Sequence, residues 1–345
     1  MKSMMLTGIR EMKMRTVEDP VIVADTDVLI RMERIGVCGS DVHYYTTGRI
    51  GNLVVKYPFT VGHESAGTVV KTGSAVSNLK PGKRVAIEPA MSCGKCDQCL
   101  SGRPHTCRNL RFLGCPGQAD GSLSEYIVMP DKNCYPIPET MNFDQAALAE
   151  PLSIGIYSVR LYGSSVTGKK VGILGCGPIG MSILIPAIAE KAEKIYVTDR
   201  IDERLKIASD AGASWTGNVD REDIVEKISK MEPLLLDVVF ECCGKQEAMN
   251  QAVRLVKPGG KIMIVGIPEF DNWIFPADII RRKELSLQNV RRQNECYKSA
   301  IDMISSGWLN MDRLVTHRFP FAETKEAFDL VADYKDGVMK AMIEF

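Results

Sequence analysis

Three separated places along the chain put metal-ligating side chains among glycines or apolar residues, where an unpaired charge is costly. They are Cys38 in GVCGSDVHYY, His63 and Glu64 in VGHESAG, and Glu150 in LAEPLS. A catalytic zinc takes about three ligands from Cys, His and carboxylate and keeps a further position open. One shared ion would satisfy all of these residues. Each also has a structural explanation: Cys38 as a packed thiol, His63 as a hydrogen-bonded core imidazole, Glu64 and Glu150 as partners of Arg or Lys. Spacing alone does not join sites so far apart in sequence.

A second set is self-contained. CGKCDQCLSGRPHTC carries Cys93, Cys96, Cys99 and Cys107. Thiolates at this spacing on a turning loop converge on one tetrahedral ion, and four soft ligands leave no place for substrate, so a structural zinc is expected. Iron–sulfur clusters use other spacings. A third motif is VGILGCGPIG, a GxGxxG fingerprint of Gly175, Gly177 and Gly180 between a predicted strand and a predicted helix. These glycines permit a tight turn, close approach to a pyrophosphate and close helix–strand packing. The helix start then offers free N–H groups to phosphate. The next strand, KIYVTD, ends in Asp199, about 20 residues on, where a carboxylate accepts from ribose hydroxyls. This favours NAD over NADP, a preference that the adjacent Arg200 blunts.

The elements that must hold these residues fall into two textures. From Val28 to Gly73 short β-rich segments alternate with Gly, Pro, Asn and Ser, which predicts a compact, mostly β unit. From about Pro151 to Glu284 continuously apolar runs (KKVGILG, KIYVTD, LLDVVFECCG, GGKIMIVGI) alternate with helical stretches, as in a parallel sheet covered on both faces. The expected organisation is residues 1–150 completed by 285–345, and a doubly wound domain over 151–284. DQAALAEPLSIGIYSVRLYG reads as one helix with an internal Pro151, and Pro186 should kink the helix after the fingerprint. In NECYKSAIDMISSGW, Asn294 reads as a helix N-cap.

The 345 residues hold 43 Lys plus Arg and 43 Asp plus Glu. No net field draws the chain to nucleic acid or an anionic membrane, so the expected partner is a small molecule. The apolar run from Ile179 to Ile188 carries Pro186 and is too short to span a bilayer. The N-terminal stretch lacks the features of a signal peptide. A cytoplasmic location is expected. The 11 cysteines then serve metal ligation and packing rather than a disulfide framework.

GxCGSDxH, GHExxG, the CxxCxxC loop, EPLS and GxGPIG, in that order, resemble the zinc-dependent medium-chain dehydrogenase/reductase superfamily, and closely its sorbitol (polyol) dehydrogenase branch. GSDVHYYTTGRIGN, KPGKRVAIEP and LVTHRFP are similar to the same branch. The resemblance implies a GroES-like catalytic domain and a Rossmann domain, NAD as cofactor, one catalytic and one structural zinc, and a homo-oligomer, dimer or tetramer. It implies that Cys38 and His63 ligate the catalytic zinc, that Glu64 ligates it or moves in and out of its sphere, and that Glu150 holds the zinc-bound water. Asp41 would orient His63, and Ser40 and His43 would form a proton relay. Tyr44 and Arg292 would touch substrate hydroxyls. Ile179, Asp199 and Arg204 would contact the cofactor, with Arg200, Val265, Gly266, Ile267, Val290 and Arg291 completing that expected set.

Gln293 stands where the sorbitol enzymes commonly have an aromatic, and Arg291 adds a charge beside Arg292. These departures suit a different polyol, a cyclitol, a sugar acid or a sugar phosphate. An amino-alcohol dehydrogenase of the threonine type would use the same zinc and NAD machinery, and a non-catalytic NAD(H)- and zinc-binding sensor is the alternative of a different class. The apolar KIMIVGIPEF region is a candidate subunit interface.

Overall fold

The computed structural model describes residues 1–163, 165–307 and 311–345. Trp308, the last residue of the NECYKSAIDMISSGW stretch, lies outside the described residues. The chain divides into two compact units, Met1–Glu150 with Tyr297–Phe345, and Pro151–Cys296. No helix among the described residues is long and apolar enough to cross a membrane.

The first unit is built on a seven-stranded sheet. Its order is Cys134–Pro136, Arg84–Ile87, Glu64–Thr72, Asp27–Gly36, Lys340–Glu344 and Val315–Pro320, with Tyr126–Pro130 also paired to Asp27–Gly36. In Asp27–Gly36 the residues Val28, Ile30 and Met32 point into the core at a period of two, and the C-terminal strand adds Ala341 and Ile343 to the same cluster. Register matters most at one end. Gly36 pairs with Glu64 on one side and with Met342 on the other. The segments leading to Cys38, His63 and Lys340 therefore start side by side.

The second unit is a six-stranded sheet, parallel throughout, in the order Trp215–Asn218, Lys194–Asp199, Lys170–Leu174, Leu236–Glu241, Val256–Ile264, Ser286–Asn289. Numbered along the unit this is 3-2-1-4-5-6, the dinucleotide-binding order, with the switch point between Lys170–Leu174 and Leu236–Glu241.

Several sequence expectations change. The second unit runs to Cys296 rather than 284, because Ser286–Asn289 joins the sheet as its sixth strand against Lys261–Ile264. That strand, SLQN, is short and mostly exposed, so it has no apolar run to announce it. The expected single helix around Pro151 is two helices, Phe143–Ala147 and Ala149–Leu161. Asn142 and Gln145 form a capping box on the first, and Pro151 sits in the first turn of the second, where no helical hydrogen bond is lost. Asn294 is not an N-cap, since the helix begins only at Tyr297. Pro186 lies inside the helix Pro178–Ala189, where the sequence placed it. Within KIMIVGIPEF, Ile262, Met263 and Ile264 are buried in the unit's own core, while Ile267 and Glu269 are exposed.

Candidate active site and dinucleotide cradle

The cysteine loop is compact. All four Sγ atoms of Cys93, Cys96, Cys99 and Cys107 lie within 4.8 Å of one another. The Cys96 Sγ is 3.6 Å from that of Cys99 and 3.8 Å from that of Cys107. A tetrahedron with metal–sulfur bonds of about 2.3 Å has edges of about 3.8 Å, so the set fits one zinc. Backbone N–H groups favour the thiolate form of Cys93 and Cys96, while burial raises Cys99 to about 11. Lys95 N–H is the largest reason that the Cys93 thiol is lowered to about 6, and the N–H groups of Cys99 and Arg108 lower Cys96. Among the described residues no other set of three or more His, Cys, Asp or Glu ligand atoms is gathered as closely.

The second constellation grows from the end of the sheet in the same unit. Cys38 caps the helix Gly39–Thr47, and the Ser40 hydroxyl donates to its Sγ at 3.3 Å. His63 is buried, with Nδ1 3.3 Å from Asp41 Oδ1, a contact not aligned as a hydrogen bond. Asp41 is fully buried and is fixed by the Gly62 N–H at 3.2 Å. Burial works against a charge on His63, but Asp41 and then Cys38 outweigh it and raise the pKa well above the usual imidazole value. Asp41 and Cys38 thus both lie close enough to act on the His63 ring. Glu150 is buried in the first turn of Ala149–Leu161, and its charge acts on Lys340.

Glu64 lies in a buried ion pair. Both of its oxygens accept from Lys340 Nζ, at 2.8 and 2.5 Å, and both side chains are 1% exposed. This is the ion pair with a basic residue that the sequence offered as the structural reading of Glu64. Lys340 also donates to Val37 O at 3.1 Å. Burial opposes the Lys340 charge, yet Glu64, followed by Cys38 and Glu150, raises its pKa. Sequence reasoning missed Lys340; its signal was a lysine inside the apolar strand VMKAMIEF. A soft thiol, an imidazole and a carboxylate are donor types that suit zinc. Tyr44 is buried with its hydroxyl 3.9 Å from Cys115 Sγ, and His43 is half-buried on the helix that follows Cys38.

In the second unit the expected cofactor residues line the C-terminal ends of successive strands. Gly175 has φ +102°, and a side chain at Gly180 would place its Cβ 1.9 Å from Gly175 O. Both positions require glycine. Gly177 caps Pro178–Ala189 without any side-chain hydrogen bond, which leaves the first N–H groups, Ile179 among them, for an anion. Asp199 Oδ2 accepts from the Cys176 N–H at 2.6 Å, tying the glycine loop to the acid. Arg204 is buried beside Gly177. The N–H groups of Val265 and Gly266 donate to Glu241 O, and that of Val290 donates to Ile264 O, all at 2.9 Å. Ile267 and Arg291 are exposed. Arg292 has φ +53°, and Gln293 Oε1 accepts from the Cys296 N–H at 2.8 Å. This arrangement fits a dinucleotide.

Residues 24–139 match the alcohol dehydrogenase GroES-like domain, and residues 178–306 the zinc-binding dehydrogenase family. Sorbitol dehydrogenase of Bacillus subtilis (strain 168) is 35% identical over 99% of this chain and 97% of its own length. The chain belongs to the sorbitol dehydrogenase branch of the zinc-dependent medium-chain dehydrogenase/reductase superfamily. The mouse (Mus musculus) sorbitol dehydrogenase is 41% identical over 92% of this chain and 88% of its own, and L-idonate 5-dehydrogenase of Vitis vinifera is 34% identical over 95% and 90%. Among solved structures, an Escherichia coli oxidoreductase/dehydrogenase of unknown specificity superposes with TM-score 0.93 at 34% identity, covering 99% of this chain and 98% of that one. A Sinorhizobium meliloti putative zinc-binding dehydrogenase bound to NADP gives 0.90 at 31% (100% and 99% covered). Galactitol-1-phosphate dehydrogenase of E. coli gives 0.91 at 26% (100% of both). The fold is that of this superfamily, a GroES-like unit with a Rossmann unit, and the chain is a zinc-dependent dehydrogenase of the polyol and sugar group.

Proposed function

We propose that this enzyme catalyses the reversible NAD-linked oxidation of a secondary alcohol of a sorbitol- or xylitol-like polyol to the ketose. The observation that carries the reading is the convergence of Cys38 and His63 at adjacent strand ends, with Asp41 against His63 and with the charge of Glu150 reaching the same buried neighbourhood. Cys38, His63 and Glu150 would hold the catalytic zinc, Glu150 directly or through water, and the ion supplies a Lewis acid that lowers the pKa of an alcohol hydroxyl. Asp41 fixes the orientation of His63. Ser40 shields the Cys38 sulfur with a hydrogen bond, and Glu150, or Ser40 with His43, carries the hydroxyl proton away. Lys340 keeps Glu64 off the ligand set. The glycine loop and Asp199 bind NAD, which accepts the hydride. The reading carries with it a cytoplasmic homo-oligomer.

A second substrate class, a sugar acid or sugar phosphate, is favoured by Arg291 beside Arg292 and by the L-idonate and galactitol-1-phosphate relatives. The test is NADH formation with sorbitol, xylitol, a cyclitol, L-threonine, L-idonate and galactitol 1-phosphate, for the wild type and Cys38→Ser. The wild type should oxidise a neutral polyol best, and Cys38→Ser should abolish turnover while NADH still binds. Turnover of L-threonine alone, or full activity in Cys38→Ser, would refute the reading; a strong preference for the anionic substrates would select the second one.

A further inference from the structure

Asp199 has both carboxylate oxygens fixed by backbone, Oδ2 by the Cys176 N–H and Oδ1 by the N–H groups of Arg200 and Ile201 at 2.8 and 3.0 Å. The next side chain, Arg200, is the kind of group that a 2'-phosphate on the adenosine ribose would need. Its guanidinium is instead forked onto Asp220, Nε to Oδ2 at 3.1 Å and Nη2 to Oδ1 at 3.3 Å. Asp220 is itself held in place. Its N–H donates to Asn218 Oδ1 at 3.0 Å, and Asn218 Nδ2 donates to Arg200 O at 3.1 Å and to Asp202 Oδ1 at 2.7 Å. Asn218 also pairs with Asp199 across the sheet. The neighbouring Arg221 is bonded to Asp202. Each arginine on this rim therefore faces a carboxylate, and Asp199 adds one more negative charge.

We propose that Asp220 is a specificity-determining residue for the cofactor: by engaging Arg200 and adding its own charge, it withholds the counter-charge that the 2'-phosphate of NADP requires. The chain then selects NAD although an arginine follows Asp199. This inference rests on the NAD reading above. Arg200 and Asp220 are 70% and 53% exposed, so the pair contributes little to stability and Asp220→Asn should fold normally.

The test is fluorescence titration of the zinc-loaded protein with NADH and with NADPH. The wild type should bind NADH more tightly. Asp220→Asn should tighten NADPH binding by about two- to fivefold, the scale of one exposed charge interaction, with NADH unchanged. The gain should shrink as salt rises and vanish when Arg200→Ala is added. NADPH binding unchanged in Asp220→Asn, NADH moving in parallel, or a gain that survives Arg200→Ala would overturn the inference while leaving a wild-type preference for NADH intact. A wild type that binds NADPH as well as NADH would overturn both this inference and the NAD reading.

Discussion

Lys340 and Glu64 are the clearest case in this chain of a charge that cannot be removed alone. Both are enclosed, and the ammonium bridges the two carboxylate oxygens. Deleting one partner of such a pair strands the other charge in a poorly solvated place, at a cost of about 3–5 kcal/mol. Lys340→Met should therefore destabilise the protein by roughly that amount. Combining it with Glu64→Leu should recover most of the loss, which chemical denaturation in a double-mutant cycle would measure. Additive losses would mean that the ion pair is not the reason these residues are buried. Reading the residue types gave each of Cys38, His63, Glu64 and Glu150 two possible roles. The ion-pair partner of Glu64 lies 276 residues away, beyond anything local pattern reveals.

Among the elements, the end of the parallel sheet opposite the glycine loop is held by another buried acid. Glu232, just past the helix Ile224–Met231, accepts from Lys170 and from Lys194 at 2.7 Å and Tyr196 at 2.5 Å, clamping the starts of two neighbouring strands. Burial alone would raise its pKa, but Lys170, Lys194 and Tyr196 outweigh that and lower it to about 2. The folded state thus binds fewer protons than the unfolded chain between about pH 4.5 and 2. The stabilisation is complete above that window and is lost as pH falls through it. Glu232→Gln should cost about 1–2 kcal/mol at neutral pH and flatten the acid limb of a stability–pH curve. An unchanged acid limb would contradict the clamp. The strands it joins were legible because they are continuously apolar, whereas Ser286–Asn289 was not, being held by pairing with its neighbour rather than by burial of its own side chains.

For the whole molecule, the chain leaves the first unit after Glu150 and returns at Tyr297. That return was anticipated because the C-terminal tail is too short to bury a core of its own, and the pairing of Lys340–Glu344 with Asp27–Gly36 supplies the reason. The glycine fingerprint and the cysteine loop were readable because each is local, complete within a few residues. The proposed catalytic metal site is not local: Cys38 and His63 lie beside adjacent strand ends and Glu150 in the first turn of a helix, far apart along the chain. The proposed catalytic centre is a zinc site separate from the cysteine loop. Metal analysis of purified wild type and His63→Ala, alongside thermal melting and turnover, tests it most directly. The wild type should hold one zinc more than His63→Ala, and the variant should stay folded, melting lower because buried Asp41 loses its neighbour, but turn nothing over. Equal zinc content with activity retained in His63→Ala would contradict the proposed centre.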